Sequence, residues 1–222
     1  TLIMGMFDIS DTVTSERLSD AYELSKHSMG KFWATGWEPV PDPDGWKKLN
    51  ADDLGLEDYK IGKRDVIDYA GFFMGDDVGI APRSAQAEVF VRKDDNDNVV
   101  EISVSFRGTN DFLRDVAAYP ELIDDLTKHS YTEKFDYLLN AVKDYAGDLG
   151  LTGQDVQVNG FSLGGAVANL VADQRAENWD GFYEDSLFVG VESMLIKDGE
   201  NVYNFGYEND NIHRILRDGT VM

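Results

Sequence analysis

A chain of 222 residues with 42% hydrophobic content is long enough to bury one core and needs no second domain. Its 42 acidic against 20 basic residues leave a formal charge of −22, which repels nucleic acid and anionic membrane surfaces and argues against DNA or RNA as a partner. The chain has no cysteine, so disulfides, thiolate nucleophiles and thiolate metal sites are all excluded.

The opening "TLIMGMFDISDTVTSERLSDAYELS" has neither the basic leader nor the apolar stretch of a signal peptide. No apolar run reaches the ~18 residues expected of a membrane span. A helix is predicted near 15 to 28, followed by the turn-rich "EPVPDPDGWKKLNADDLG", where Pro, Asp and Gly favour loops rather than a domain boundary. Residues 85 to 109, "AQAEVFVRKDDNDNVVEISVSFRGT", contain two β-rich runs around Asp94 to Asn98, the pattern of a hairpin. The carboxylates at that tip imitate a calcium loop, but Val99 and Ser105 stand where an EF-hand needs Gly and Glu, so the tip is read as a turn.

From Ser130 the period becomes helical. Ser130 and Glu133 have capping-box spacing, Phe135, Leu138, Leu139, Val142 and Tyr145 share a face, and Gly147 and Gly150 are candidate stops. A strand is expected at Asp155 to Asn159, then a sharp turn, then a helix with Ala166, Val167, Leu170 and Val171 on one side. A later strand, "NVYNFG", runs into "YENDNIHRILRDG". Strands alternating with helices imply a single α/β domain over 1–222, with a mostly parallel sheet covered on both faces.

The turn between the last strand and helix pair is "GFSLG", Gly160 to Gly164, which fits the G-x-S-x-G nucleophile elbow. A strand that reverses into a helix over so few residues leaves no room for side chains two positions either side of the serine. Glycines there let the backbones approach, and Ser162 is held with its oxygen exposed. The helix N-terminus adds partial positive charge, and the Leu163 amide faces the position where an oxyanion would form. The competing reading is an ordinary strand-to-helix turn.

The chain resembles the catalytic domain of the bacterial true lipases exported by type I secretion, the group of Pseudomonas and Serratia extracellular lipases and polyurethanases, and is more distantly similar to class 3 lipases. The resemblance is carried in order by "GMFD" at 5–8, "AQAEV" at 85–89, "FRGT" at 106–109, "DYAGDLGLTGQDVQVNGFSLGG" at 144–165, "WDGFY" at 179–183 and "NFGYEND" at 204–210. It implies an α/β-hydrolase fold and hydrolysis of carboxylic esters, typically acylglycerols. It further implies that Ser162 is the nucleophile, that Asp210 is the triad acid, and that Thr109 with the Leu163 amide forms the oxyanion hole. An acid in a loop after a later strand also agrees with the hydrolase chain order of Ser, Asp, His. Secretion follows from the resemblance alone.

The same group binds calcium, and Ser84, Gln86, Asn110, Asp111 and Asp115 stand at or near its matching positions. Oxygen donors of this kind suit Ca²⁺. An equally good reading of "NDFLRD" is a solvated helix start capped by Asn110. The family's histidine lies well beyond its triad aspartate, whereas this chain stops at Met222. Of the histidines present, His27 and His129 read as surface or internally satisfied groups, while His213 has an Asp-x-x-His spacing to Asp210. Two further readings stand beside a lipase or esterase: a silent calcium-binding or interaction module on the hydrolase scaffold, and a phospholipase or thioesterase using the same elbow.

Overall fold

The computed structural model describes residues 14–29, 40–76, 85–108, 130–193 and 195–206. The first helix, α1 (Ser15–Met29), starts where Thr14 accepts the Arg17 amide on its hydroxyl at 3.2 Å, an N-cap that satisfies one of the orphan donors of the first turn. Its buried side chains, Leu18, Ala21, Leu24, Ser25 and Ser28, recur at helical spacing along one stripe.

Short strands β1 (Trp46–Lys48), β2 (Lys60–Ile61), β3 (Arg64–Asp65) and β4 (Phe73–Met74) follow. The predicted hairpin is β5 (Gln86–Lys93) and β6 (Val99–Phe106), paired antiparallel. At its tip the Asp94 carboxylate accepts the amides of Asn96 and Asn98, both at 2.9 Å, and Asp97 takes φ 67°. This is Asx-turn chemistry: the carboxylate folds its own backbone, as the turn reading expects.

The helix expected from Ser130 forms in two pieces, α2 (Ser130–Glu133) and α3 (Asp136–Asp148). Ser130 already lies inside the first piece, and Phe135, with φ −114° and ψ 9°, breaks the chain between them. Phe135 is buried against Phe106 at 5.0 Å between ring centroids, a contact that wins over helix continuity; burying an aromatic of this size contributes about 1.5–3 kcal/mol. The α3 helix ends in a Schellman motif: Leu151 N–H donates to Ala146 C=O at 2.9 Å, Gly150 N–H to Gly147 C=O at 3.0 Å, and Gly150 has φ 73°. A left-handed residue at that position favours glycine.

The chain then runs through β7 (Val156–Phe161), α4 (Leu163–Gln174), β8 (Leu187–Val191) and β9 (Val202–Phe205). The sheet order is β1-β5-β6-β7-β8-β9 with β4 also on β5, and the β6-β7-β8-β9 half is parallel. Strand β8, "LFVGV", has no turn signal of its own and was not anticipated.

The two faces of the sheet differ. One carries Ala87, Val89, Val91, Ile102, Val104, Phe106, Val156, Val158 and Phe188 into the main core with α3 and α4 residues. The other, across β5 to β7, presents Glu88, Arg92, Glu101, Ser103, Ser105, Gln157 and Asn159, and α1 supplies partners to it. Glu101, only 3% exposed, accepts from Arg17 Nε at 2.7 Å, Arg92 Nη2 at 2.6 Å and Gln157 Nε2 at 3.2 Å. Asn159 donates to Ser103 Oγ at 2.9 Å and to Gln157 Oε1 at 3.2 Å. Polar groups so deeply buried are tolerated because most of their atoms are hydrogen-bonded to one another, Asn159 Oδ1 and Arg92 Nε being the exceptions in this network.

Candidate active site

Strand β7 ends at Phe161 and α4 begins at Leu163, so Ser162 alone makes the reversal. It takes φ 55° and ψ −115°, a conformation an L-residue adopts only when its surroundings impose it. Two hydrogen bonds do so: Ser162 N–H donates to Val191 C=O at 2.8 Å, and Ser162 C=O accepts the Ala166 amide at 3.1 Å. The Ser162 side chain makes no cap hydrogen bond to α4. Leu163, as first residue of that helix, has an N–H with no intrahelical acceptor.

The flanking glycines are required by contact. A Cβ on Gly160 would lie 2.2 Å from the carbonyl of Gly164, and a Cβ on Gly164 would lie 2.1 Å from Phe106 O. Gly108 is held in the same way, since its Cβ would fall 2.7 Å from Phe161 O and 2.5 Å from the Met29 sulfur. The end of β6 and the elbow therefore meet backbone to backbone, and the last turn of α1 reaches the same place through the Met29 side chain. Ser28 on α1 also donates to Phe106 C=O at 3.2 Å. Thr109 follows Gly108 directly in the chain.

Beside Gly108, Arg107 is held by Gln86. Its backbone N–H donates to Gln86 C=O at 2.9 Å and its Nη1 to Gln86 Oε1 at 2.8 Å, while Gln86 Nε2 donates to Asp68 Oδ2 at 2.6 Å. The guanidinium lies 4.6 Å from the Phe72 ring centroid, within cation–π range. Both Gln86 oxygens thus already accept from Arg107, the backbone one from its amide and the side-chain one from its guanidinium. In this arrangement Gln86 fits a calcium ligand only if Arg107 withdraws. Among the described residues no group of three or more His, Asp or Glu side chains is placed to hold a metal.

Of the residues singled out from the sequence, Ser162 and Leu163 meet at the elbow and Gln86 lies at the Arg107 cluster. Ser84, Thr109, Asn110, Asp111, Asp115, His129, Asp210 and His213 lie outside the described residues.

His27 is internally satisfied, as read from the sequence. Its Nδ1 lies 3.0 Å from Glu88 Oε2 and its Nε2 3.0 Å from Pro41 O, and the ring meets Phe90 edge-on at 5.2 Å. Carboxylate and carbonyl both accept, a setting that suits the protonated ring, which donates through both nitrogens. Burial opposes that charge, but the hydrogen bond and charge of Glu88 outweigh it and raise the pKa above 6.5, against smaller opposition from Lys48, which also pairs with Glu88. A pKa raised on folding gives stability that is full below the unfolded value and lost as pH rises through the folded one. The urea midpoint is therefore expected to fall as pH rises above the ordinary histidine value of about 6.5, with a flatter profile in His27→Gln. Equal pH slopes for the two proteins would refute the assignment.

One polar cluster was missed from the sequence. Asn169, 1% exposed on α4, is bonded to Asn204 on β9. The signal was an amide inside the otherwise apolar run "AVANLVA".

A serine on a strained strand-to-helix turn, at the C-terminal end of a mostly parallel sheet flanked by helices, defines an α/β-hydrolase fold. No family model matches the chain. Two lipases of Pseudomonas fluorescens are similar to it, one 38% identical over 78% of this chain and 37% of its own length, the other 35% identical over 72% and 37%. The crystal structure of the extracellular lipase LipA from Serratia marcescens superposes with a TM-score of 0.71 at 29% identity, covering 96% of this chain and 43% of that one. By sequence and fold the chain is similar to these bacterial lipases. It spans a little over a third of the length of those two relatives.

Proposed function

We propose that the protein is a serine carboxylic-ester hydrolase, a lipase or esterase, that acts on acylglycerols or related esters through an acyl-enzyme on Ser162. The observation that carries this reading is Ser162 held at φ 55° between Gly160 and Gly164, with Gly108 packed against the same turn. In the reaction a histidine removes the Ser162 proton as the oxygen attacks the ester carbonyl, and Asp210 orients the imidazolium. The amides of Thr109 and Leu163 bind the oxyanion, the imidazolium protonates the leaving alcohol, and water then releases the acid. The α4 N-terminus favours the developing negative charge.

Calcium and export complete the proposal. Asp111 and Asp115, with Ser84 and Asn110, are the oxygen donors for Ca²⁺, with Gln86 joining them on withdrawal of Arg107. The extracellular Serratia relative supports export; among the described residues no helix is long and apolar enough to cross a membrane. Hydrolase found in cells and absent from the medium would refute export.

The test is labelling with a fluorophosphonate, with the adduct located by peptide mapping. Labelling at Ser162, lost in Ser162→Ala along with essentially all esterase turnover, is the expected result, since removal of a triad member leaves only the contribution of binding and the oxyanion hole. Turnover unchanged in Ser162→Ala would end the assignment. Calcium added to the same sample should raise its melting temperature, and Asp111→Asn with Asp115→Asn should remove that rise; an unchanged rise would place calcium elsewhere.

A further inference from the structure

Asn169 and Asn204 face each other as a reciprocal amide pair. Asn169 Nδ2 donates to Asn204 Oδ1 at 2.8 Å, and Asn204 Nδ2 donates back to Asn169 Oδ1 at 3.1 Å. Asn169 has two more hydrogen-bonding sites, and both are used: Nδ2 also donates to Gly165 C=O at 2.8 Å, and Oδ1 also accepts the Lys197 amide at 2.8 Å. Its full capacity of two donated and two accepted bonds is spent. An amide satisfied on every side in a buried setting has one orientation, because any rotation leaves a polar group unpaired.

The pair joins two elements that matter to the proposed reaction. Asn169 is on α4, the helix that begins immediately after Ser162, and its bond to Gly165 reaches into the first turn of that helix. Asn204 is on β9, and the chain that leaves β9 leads within a few residues to Asp210. Between them Gly190 on β8 makes the space, since a Cβ there would lie 2.3 Å from Asn204 Oδ1 and 2.6 Å from Asn169 Nδ2. A pair that served only to fill the core would be replaced without loss by apolar side chains; this one is directional and ties the helix that follows Ser162 to the strand that precedes Asp210 in the chain.

We propose that Asn169 and Asn204 are positioning residues, which set the separation between Ser162 and the acid beyond β9. The inference rests on the assignment of Ser162 and Asp210 above. Displacement of a reacting group by about 1 Å costs on the order of 100-fold in rate, so a bridge of this kind acts on turnover and leaves ester binding alone.

The experiment compares the unsubstituted protein with Asn169→Leu and Asn204→Leu, using a soluble short-chain ester well below the melting temperature of each folded protein. The expected result is a fall in kcat of about 100-fold for Asn169→Leu and a smaller one for Asn204→Leu, with KM little changed. The acid limb of the kcat/KM profile should move to lower pH in both, because a carboxylate moved away from the base stabilises its protonated form less. Should Asn169→Leu not fold, Asn204→Leu carries the test, since Asn204 lies at the rim of the core. Full kcat and an unmoved pH profile in the folded variants, whatever their melting temperatures, would overturn the inference alone. Failure of the unsubstituted protein to label at Ser162 would overturn it together with the assignment on which it rests.

Discussion

Gly164→Ala is expected to destabilise the fold by about 3 kcal/mol, the upper range for overpacking a tight contact, and to abolish fluorophosphonate labelling at Ser162. The added methyl would lie 2.1 Å from Phe106 O, 2.7 Å from Phe106 C and 3.0 Å from Arg107 C. All three are backbone atoms at the end of β6, so no side-chain rotation relieves the clash. Either α4 lifts off the sheet and distorts the turn at Ser162, or β6 shifts and carries Gly108 with it. Gly147→Ala is the matched control, because that exposed helical glycine has nothing within 4 Å of a Cβ. There the substitution should stabilise by about 0.5–1 kcal/mol, as loss of backbone freedom in the unfolded chain predicts. Urea midpoints for both variants, read beside their labelling rates, decide the matter. A Gly164→Ala protein with ordinary stability and labelling would mean that the elbow is not close-packed on β6.

Glu101→Gln is expected to lose about 3–5 kcal/mol, the range for removing one partner of a buried ion pair. The carboxylate is 3% exposed and neutralises Arg17 and Arg92 at once. Arg92 retains Asp20 and Glu16, both at 3.5 Å, and Arg17 retains Gln154 C=O at 3.1 Å, longer contacts than those lost. Because Arg17 belongs to α1, the loss falls on the seating of that helix. Its other end bonds Phe106 through Ser28 and touches Gly108 through Met29. Chemical denaturation checks the magnitude; a change within about 0.5 kcal/mol, the usual range for an exposed site, would show that the pairs are worth no more than surface ion pairs.

Local chemistry was legible in the sequence, and pairing over distance was not. The hairpin around Asp94, the buried faces of α3 and α4 and the elbow at Ser162 each follow from residues within one turn or one strand, where period and turn chemistry operate. The interruption at Phe135 was hidden because the apolar spacing continues through it; only the opposing ring of Phe106 reveals it. The polar sheet face was hidden more deeply. Glu88, Glu101, Ser103, Gln157 and Asn159 alternate with apolar residues, the pattern of strands with one face in water. Their burial depends on α1, which returns from far away in the chain to supply Arg17 and His27. His27 was read as a surface or satisfied group, and Glu88, the partner that makes it satisfied, was beyond any local signal. At the candidate site the tight strand-to-helix turn at Ser162 was legible from its glycines. The Asn169–Asn204 bridge joins a helix to a strand that no spacing rule connects.

The backbone at Ser162 is held by Val191, Ala166 and the glycines around it, and its own hydroxyl caps nothing. The seat and its occupant are therefore separable. With alanine in that seat the turn keeps every contact that shapes it and, under the function proposed above, loses only the atom that would attack an ester. Under that proposal such a chain would be a trap for substrate that binds without being cleaved, and the substrate could be identified by what it retains.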